Sequence, residues 1–196
     1  MRARLSAALA LDQRLARIVS ATTEPMLGQM RLAWWRDMLA LRTPDRPAGD
    51  AALSAIGAHW SGDEQALIDV VDGWEVLLVS VALADADLVR IARGRGAPFV
   101  ALFGGASLRS AARVSAAATR FVCADLAIRL SDAEERRRAI RLGLDQTDDG
   151  ERLPREARGL RVLEALALRA LERGGKPLME GRGAALTALK AGFFGR

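Results

Sequence analysis

Apolar residues recur at steps of three and four along most of this chain, and no stretch alternates in the manner of a strand. Leu5, Leu9, Asp12, Leu15, Ala16 and Val19 share one side of a helix over Leu5–Val19, with Arg14 and Arg17 elsewhere. Thr22 to Pro25 interrupts the pattern. Thr23 is placed to cap the next helix, and Pro25 suits its first turn. That second helix runs from Met26 to about Leu41. Met30, Trp34 and Met38 form one stripe, and Leu27, Arg31 and Trp35 form the adjacent one. Apolar groups therefore cover most of its circumference, and the helix is expected to be central.

Thr43–Asp50 reads as a loop ending in Asp50, which can cap a short helix over Ala51–Trp60. Ser61-Gly62-Asp63-Glu64 has the spacing of a capping box and opens a helix from about Asp63 to Val79. Asp85 starts another, in which Gly94, Gly96 and Pro98 mark a bend; Phe99–Phe103 continues it and Gly104-Gly105 ends it. A long Ala-rich helix covers Leu108–Leu130. Ser131-Asp132-Ala133-Glu134 is a second capping box, with a helix to about Leu142. Asp145–Arg155 has the composition of a linker. Beyond it, Leu160–Arg173 and Gly183–Ala191 are helical. The pattern predicts an all-α domain over residues 1–196, roughly eight helices in an orthogonal or bundle-like array.

Composition agrees: Ala and Leu dominate a sequence that is 51% hydrophobic and lacks Tyr. The net charge is +5, and the cations are Arg apart from Lys176 and Lys190. Carboxylates are interspersed among them, and no basic stripe alternates with aromatics, so a nucleic-acid partner is not expected. A single cysteine, Cys123, excludes an internal disulfide and a cysteine-based zinc site. The apolar stretch near Met1 is broken by Asp12, Arg14 and Arg17 too early for a secretory signal, and no run approaches a transmembrane span. A cytoplasmic protein is expected, with peripheral membrane contact left open.

Few residues carry chemistry. His59 is the sole histidine, and no Ser or Cys stands at triad spacing to it. Cys123 lies on an apolar face and reads as an inert core thiol. Neither glycine cluster, Gly94 to Gly96 or Gly104-Gly105, has phosphate-loop spacing. Asp69, Asp72 and Glu75 lie at steps of three along one helix side. Such carboxylates could hold Mg²⁺ with a diphosphate, or form an ordinary polar face paired with arginines of the second helix. Arg31 and Arg36 could grip a diphosphate or a carboxylate. Trp34 and Trp35 could line an apolar pocket or pack in the core.

The segment ALALDQRLARIV, followed by EPMLGQMRLAWWRDML, resembles the squalene/phytoene synthase family, in its bacterial phytoene-synthase-like branch. The likeness continues at Val71 to Leu78 (VDGWEVLL), fades through the middle, and returns in LRVLEALALRALERGGKPL. It implies an isoprenoid-synthase helical array around a central cavity. It also implies condensation of two prenyl diphosphates held by Mg²⁺ between two Asp-rich helices. The same branch includes a mitochondrial assembly factor for respiratory complex I that lacks those Asp-rich motifs.

The chain departs from the family where metal would bind. Ala16 to Ser20 occupy the first motif's positions, and Asp12 stands about one turn earlier. If Arg129 matches the arginine of the second motif, its aspartate positions hold Leu130 and Glu134, with Asp125 and Asp132 nearby but out of spacing. The expectation is a fold retained without prenyl diphosphate condensation and without a cofactor, serving binding or assembly. Its partners would be a prenyl diphosphate or lipid ligand, or a protein at the membrane surface. The alternative is an active Mg²⁺-dependent head-to-head prenyltransferase of isoprenoid or carotenoid biosynthesis. Asp12, Asp69, Asp72 and Glu75 would then ligate the metal, and Arg31 and Arg36, beside Trp34 and Trp35, would hold the diphosphate.

Overall fold

The computed structural model describes residues 1–147 and 150–194. The Asp145–Arg155 stretch read as a linker thus includes two positions, Asp148 and Asp149, outside the described residues. Among the described residues there are nine α-helices and no strand. They are α1 (Arg2–Ala21), α2 (Pro25–Ala40), α3 (Ala51–His59), α4 (Gln65–Val79), α5 (Asp85–Phe103), α6 (Leu108–Arg129), α7 (Ala133–Leu144), α8 (Arg158–Glu172) and α9 (Arg182–Phe194). The all-α expectation holds, and each helical segment read from the pattern overlaps one of these helices. Among the described residues no helix is long and apolar enough to cross a membrane.

The helices form a continuous stack, α2 on α4, α4 on α5, α5 on α6, α6 on α8 and α8 on α9. α1 and α3 close one side, and α7 lies on α6. The middle is α6, which buries Ala116, Ala117, Ala118, Ala124 and Ala127. Small residues on several sides let neighbouring helices approach closely. One apolar cluster gathers around Leu11, Leu32, Leu67 and Trp74; a second gathers around Leu88, Ile91, Leu126 and Leu171. Full burial of each of these leucines is worth roughly 2 kcal/mol on transfer alone.

Close approach of α4 and α5 explains the glycines of the expected bend. A Cβ on Gly94 would lie 2.4 Å from the Asp69 carbonyl oxygen, and the Gly73 Cα sits 3.0 Å from the same point. α5 continues through Gly94, Gly96 and Pro98 as one helix.

Four local expectations are corrected. α2 is not central: it buries Gly28, Leu32, Trp35 and Leu39 against α4 and α1 and leaves Met26, Leu27, Met30 and Trp34 exposed. Thr23 does not cap it; Glu24 is the N-cap, without a side-chain bond. α4 starts at Gln65, because Glu64 accepts from the Gly62 N–H and pairs with Arg46 instead of closing a box with Ser61. At α7 the cap is Asp132 rather than Ser131, accepting from the Glu134 and Glu135 amides. Asp50 caps α3 as expected. Arg46, in the loop before α3, donates to the Met38, Leu39 and Leu41 carbonyls and so satisfies the end of α2.

Candidate functional site

Four helices meet at one guanidinium. Arg95 of α5 donates Nε to Asp12 Oδ1 at 2.9 Å and Nη2 to Asp12 Oδ2 at 3.0 Å, reaching α1. Its Nη2 also lies 2.8 Å from Asp125 Oδ2 of α6. The guanidinium stacks on the Trp74 indole of α4 at 4.1 Å, and the Trp74 N–H donates to Asp12 Oδ1 at 2.7 Å. Arg129, one turn beyond Asp125, donates to the same Asp125 carboxylate at 2.8 Å. Two carboxylates and two guanidiniums thus form a locally neutral cluster.

Neutrality and dense hydrogen bonding make this burial tolerable. The Arg95 side chain is only 2% exposed. Burial works against its charge, and Asp12 and Asp125 outweigh that, holding its pKa above the ordinary arginine value. Burial likewise pushes Asp125 upward, but Arg95 and Arg129 prevail and hold it below the usual carboxylate range. Gly94 and Gly96 flank Arg95 and let α5 approach Asp69 of α4 and Ala118 of α6.

Beside this cluster a pocket is lined by Asp12 and Arg95 together with Leu5, Leu9, Phe99 and Phe121. Its free volume is about 10 Å³. That is roughly the room one water needs, far below a prenyl chain.

The carboxylates of α4 face two ways. Arg36 of α2 donates to Asp72 Oδ1 at 2.8 and 2.6 Å and to Glu75 Oε2 at 2.5 Å. Burial opposes the Arg36 charge, and the two carboxylates raise its pKa above the ordinary value regardless. Asp69 accepts from the Gln65 side chain at 2.9 Å. With Asp72 it lines a surface groove of about 340 Å³ that also contains Arg90 and Arg93. Asp12 belongs to the Arg95 cluster instead. Among the described residues no group of three or more His, Cys, Asp or Glu side chains is arranged to hold a metal ion.

The two tryptophans divide. Trp35 is 2% exposed and packs in the core, whereas Trp34 is 41% exposed and meets it edge to face at 5.2 Å. Arg31 is exposed and is not drawn into the α2–α4 pairing that engages Arg36. His59 is exposed at the end of α3. Cys123 is fully buried, and burial pushes its thiol up to about 12, far from a thiolate. Glu134 is exposed and pairs with Arg137 at 2.6 Å on the surface of α7.

A second buried cluster joins α6 to α8. Glu164 accepts from Arg113 at 2.9 and 2.7 Å and from Arg120 at 2.5 Å, and Arg120 also donates to the Gln146 carbonyl. Periodicity did not single out Arg95, Trp74 or Glu164 as a site. The available signal was an Arg set between two glycines, which close helix packing would bury.

No protein-family model, curated protein or solved structure matches the chain.

Proposed function

We propose that this chain is a squalene/phytoene synthase-like protein that does not condense prenyl diphosphates and works by binding, in the manner of an assembly factor. The observation that carries this reading is the pairing of Asp12 and Asp125 with Arg95. In the resemblance, Asp12 stands about one turn before the first Asp-rich motif and Asp125 near the second, whose aspartate positions hold Leu130 and Glu134, the latter paired with Arg137 on the surface. A metal-dependent condensation needs several carboxylates free to share divalent cations across an open cleft. Here one guanidinium fills that role between α1 and α6, and the adjoining pocket has about 10 Å³ of free volume. These residues do not fit a Mg²⁺ cluster.

The prenyltransferase alternative would need Asp69, Asp72 and Glu75 to leave their present partners. Asp72 and Glu75 are held by Arg36, which a bound diphosphate would also have to recruit.

Isothermal titration with farnesyl diphosphate, with and without Mg²⁺, tests the reading, together with a product assay. The expected result is no turnover and no Mg²⁺-dependent binding. Condensation by the purified chain would overturn it. Mg²⁺-dependent binding abolished by Asp69→Asn and Asp72→Asn would favour the alternative.

A further inference from the structure

α9 is packed inside out. Ala184 is buried, with Gly183, Thr187, Ala188 and Ala191 also on its half-covered side, while Leu186, Leu189 and Phe193 face solvent. Leu186 is 61% exposed, Leu189 54% and Phe193 72%. The small residues let it lie close to α8, the helix it packs against. A Cβ on Gly183 would stand 3.0 Å from Arg169 Nη2, and one on Gly192 would stand 3.7 Å from Val162 Cγ2. Exposing the large side chains and burying the small ones wastes apolar burial unless the outer face meets something apolar.

Cations prevail around this face: from residue 176 to 194 the chain carries Lys176, Arg182 and Lys190 against one carboxylate, Glu180. Exposed Lys176 and Met179 extend the face through the preceding turn, which Arg169 ties down through the Glu180 carbonyl at 3.0 Å. Arg158 stands over the Phe193 ring at 5.3 Å. The other exposed apolar stripe, Met26, Met30 and Trp34 on α2, lies among Glu24 and Asp37 as well as Arg31 and favours neither sign.

We infer that α9, with the turn before it, docks on an anionic lipid surface. A convex helix with Leu and Phe outward, edged by cations, suits the boundary between headgroups and acyl chains. Both lysines of the chain fall here, and their aliphatic stems reach from apolar depth to headgroup phosphates. A second copy is disfavoured, because a two-fold pairing of this face would set Arg182 and Lys190 against their own kind. The inference rests on α9 and the turn before it; prenyl diphosphate turnover would overturn the preceding reading and leave this one standing.

Flotation of the full chain with vesicles tests it, using phosphatidylcholine with phosphatidylserine against phosphatidylcholine alone. The chain is expected to float with the anionic vesicles at low salt and to be released at high salt. The double variants Leu186→Ser/Phe193→Ser and Arg182→Glu/Lys190→Glu should each reduce the bound fraction about tenfold or more. The altered side chains are exposed, so circular dichroism should show folded variants; the salt dependence of the unaltered chain gives an independent reading. Failure to float overturns the inference, whether or not an acidic protein then proves to cover the face. Equal binding to both vesicle types overturns it too, as does a solution dimer that Leu186→Ser/Phe193→Ser dissociates.

Discussion

Arg95 and Asp12 meet side-on through two hydrogen bonds, Nε to Oδ1 at 2.9 Å and Nη2 to Oδ2 at 3.0 Å. This geometry fixes both planes and joins α5 to α1 across the middle of the molecule. Removing the guanidinium leaves Asp12 and Asp125 facing each other with no cation between them. Arg95→Leu should therefore cost about 3–5 kcal/mol in urea denaturation. Adding Asp12→Asn should recover part of that loss, since the orphaned charge goes, whereas Asp125 keeps Arg129. A cost below about 1 kcal/mol for Arg95→Leu would show that the clasp contributes little to stability.

Asp125 makes the fold acid-sensitive in a defined direction. Its pKa is lowered in the folded chain, so near the ordinary Asp value of about 3.9 the unfolded chain binds more protons. The stabilisation is complete above that value and is lost as pH falls through the lower folded one. Asp125→Asn should lower stability at neutral pH and flatten its decline in acid, measured by denaturant titrations at a series of pH values. An unchanged acid slope would contradict the assignment.

Gly94→Ala should destabilise by about 1–3 kcal/mol or more, because the added methyl meets the Asp69 carbonyl oxygen at 2.4 Å, and backbone cannot swing aside as a flexible side chain can. Gly159→Ala is the control: nothing lies within 4 Å of its Cβ position. Ordinary helix propensity predicts a gain there of up to about 1 kcal/mol. Thermal melts of the two variants should move in opposite directions.

The tandem tryptophans should respond unequally. Trp35→Ala should cost about 3–5 kcal/mol, as for other buried aromatics. Trp34→Ala should cost far less, because much of that ring is already in water. Equal losses would contradict this division into a buried and an exposed ring.

The helical segments were the most legible part of the sequence, because their apolar periodicity depends on neighbours in sequence. Asp50 and Gly104 punctuate the chain where the elements change. The burial of α2 was illegible for the opposite reason. A helix apolar on most sides does not declare which side is covered; that is set by Gly28 lying against Leu78 of α4. Ser61–Glu64 matched a box by spacing, yet Arg46 drew Glu64 away through an ion pair that no local window contains. The central cluster was hidden for the same reason. Asp12, Trp74, Arg95 and Asp125 are each unremarkable in their own segments, and only the crossing of four helices makes them one group.

That crossing also sets a timetable for synthesis. Asp12 leaves the ribosome early, and the guanidinium that neutralises it follows only after α2, α3 and α4. The second carboxylate follows later still, with α6. At ordinary elongation rates α1 waits on the order of ten seconds before its half-buried acid has a partner. Until then it cannot dock with its final geometry without stranding a charge. The N-terminal helices should therefore stay loose on the nascent chain and lock together once residues up to Arg129 are free, so truncations ending before α6 should be bound by chaperones rather than released folded.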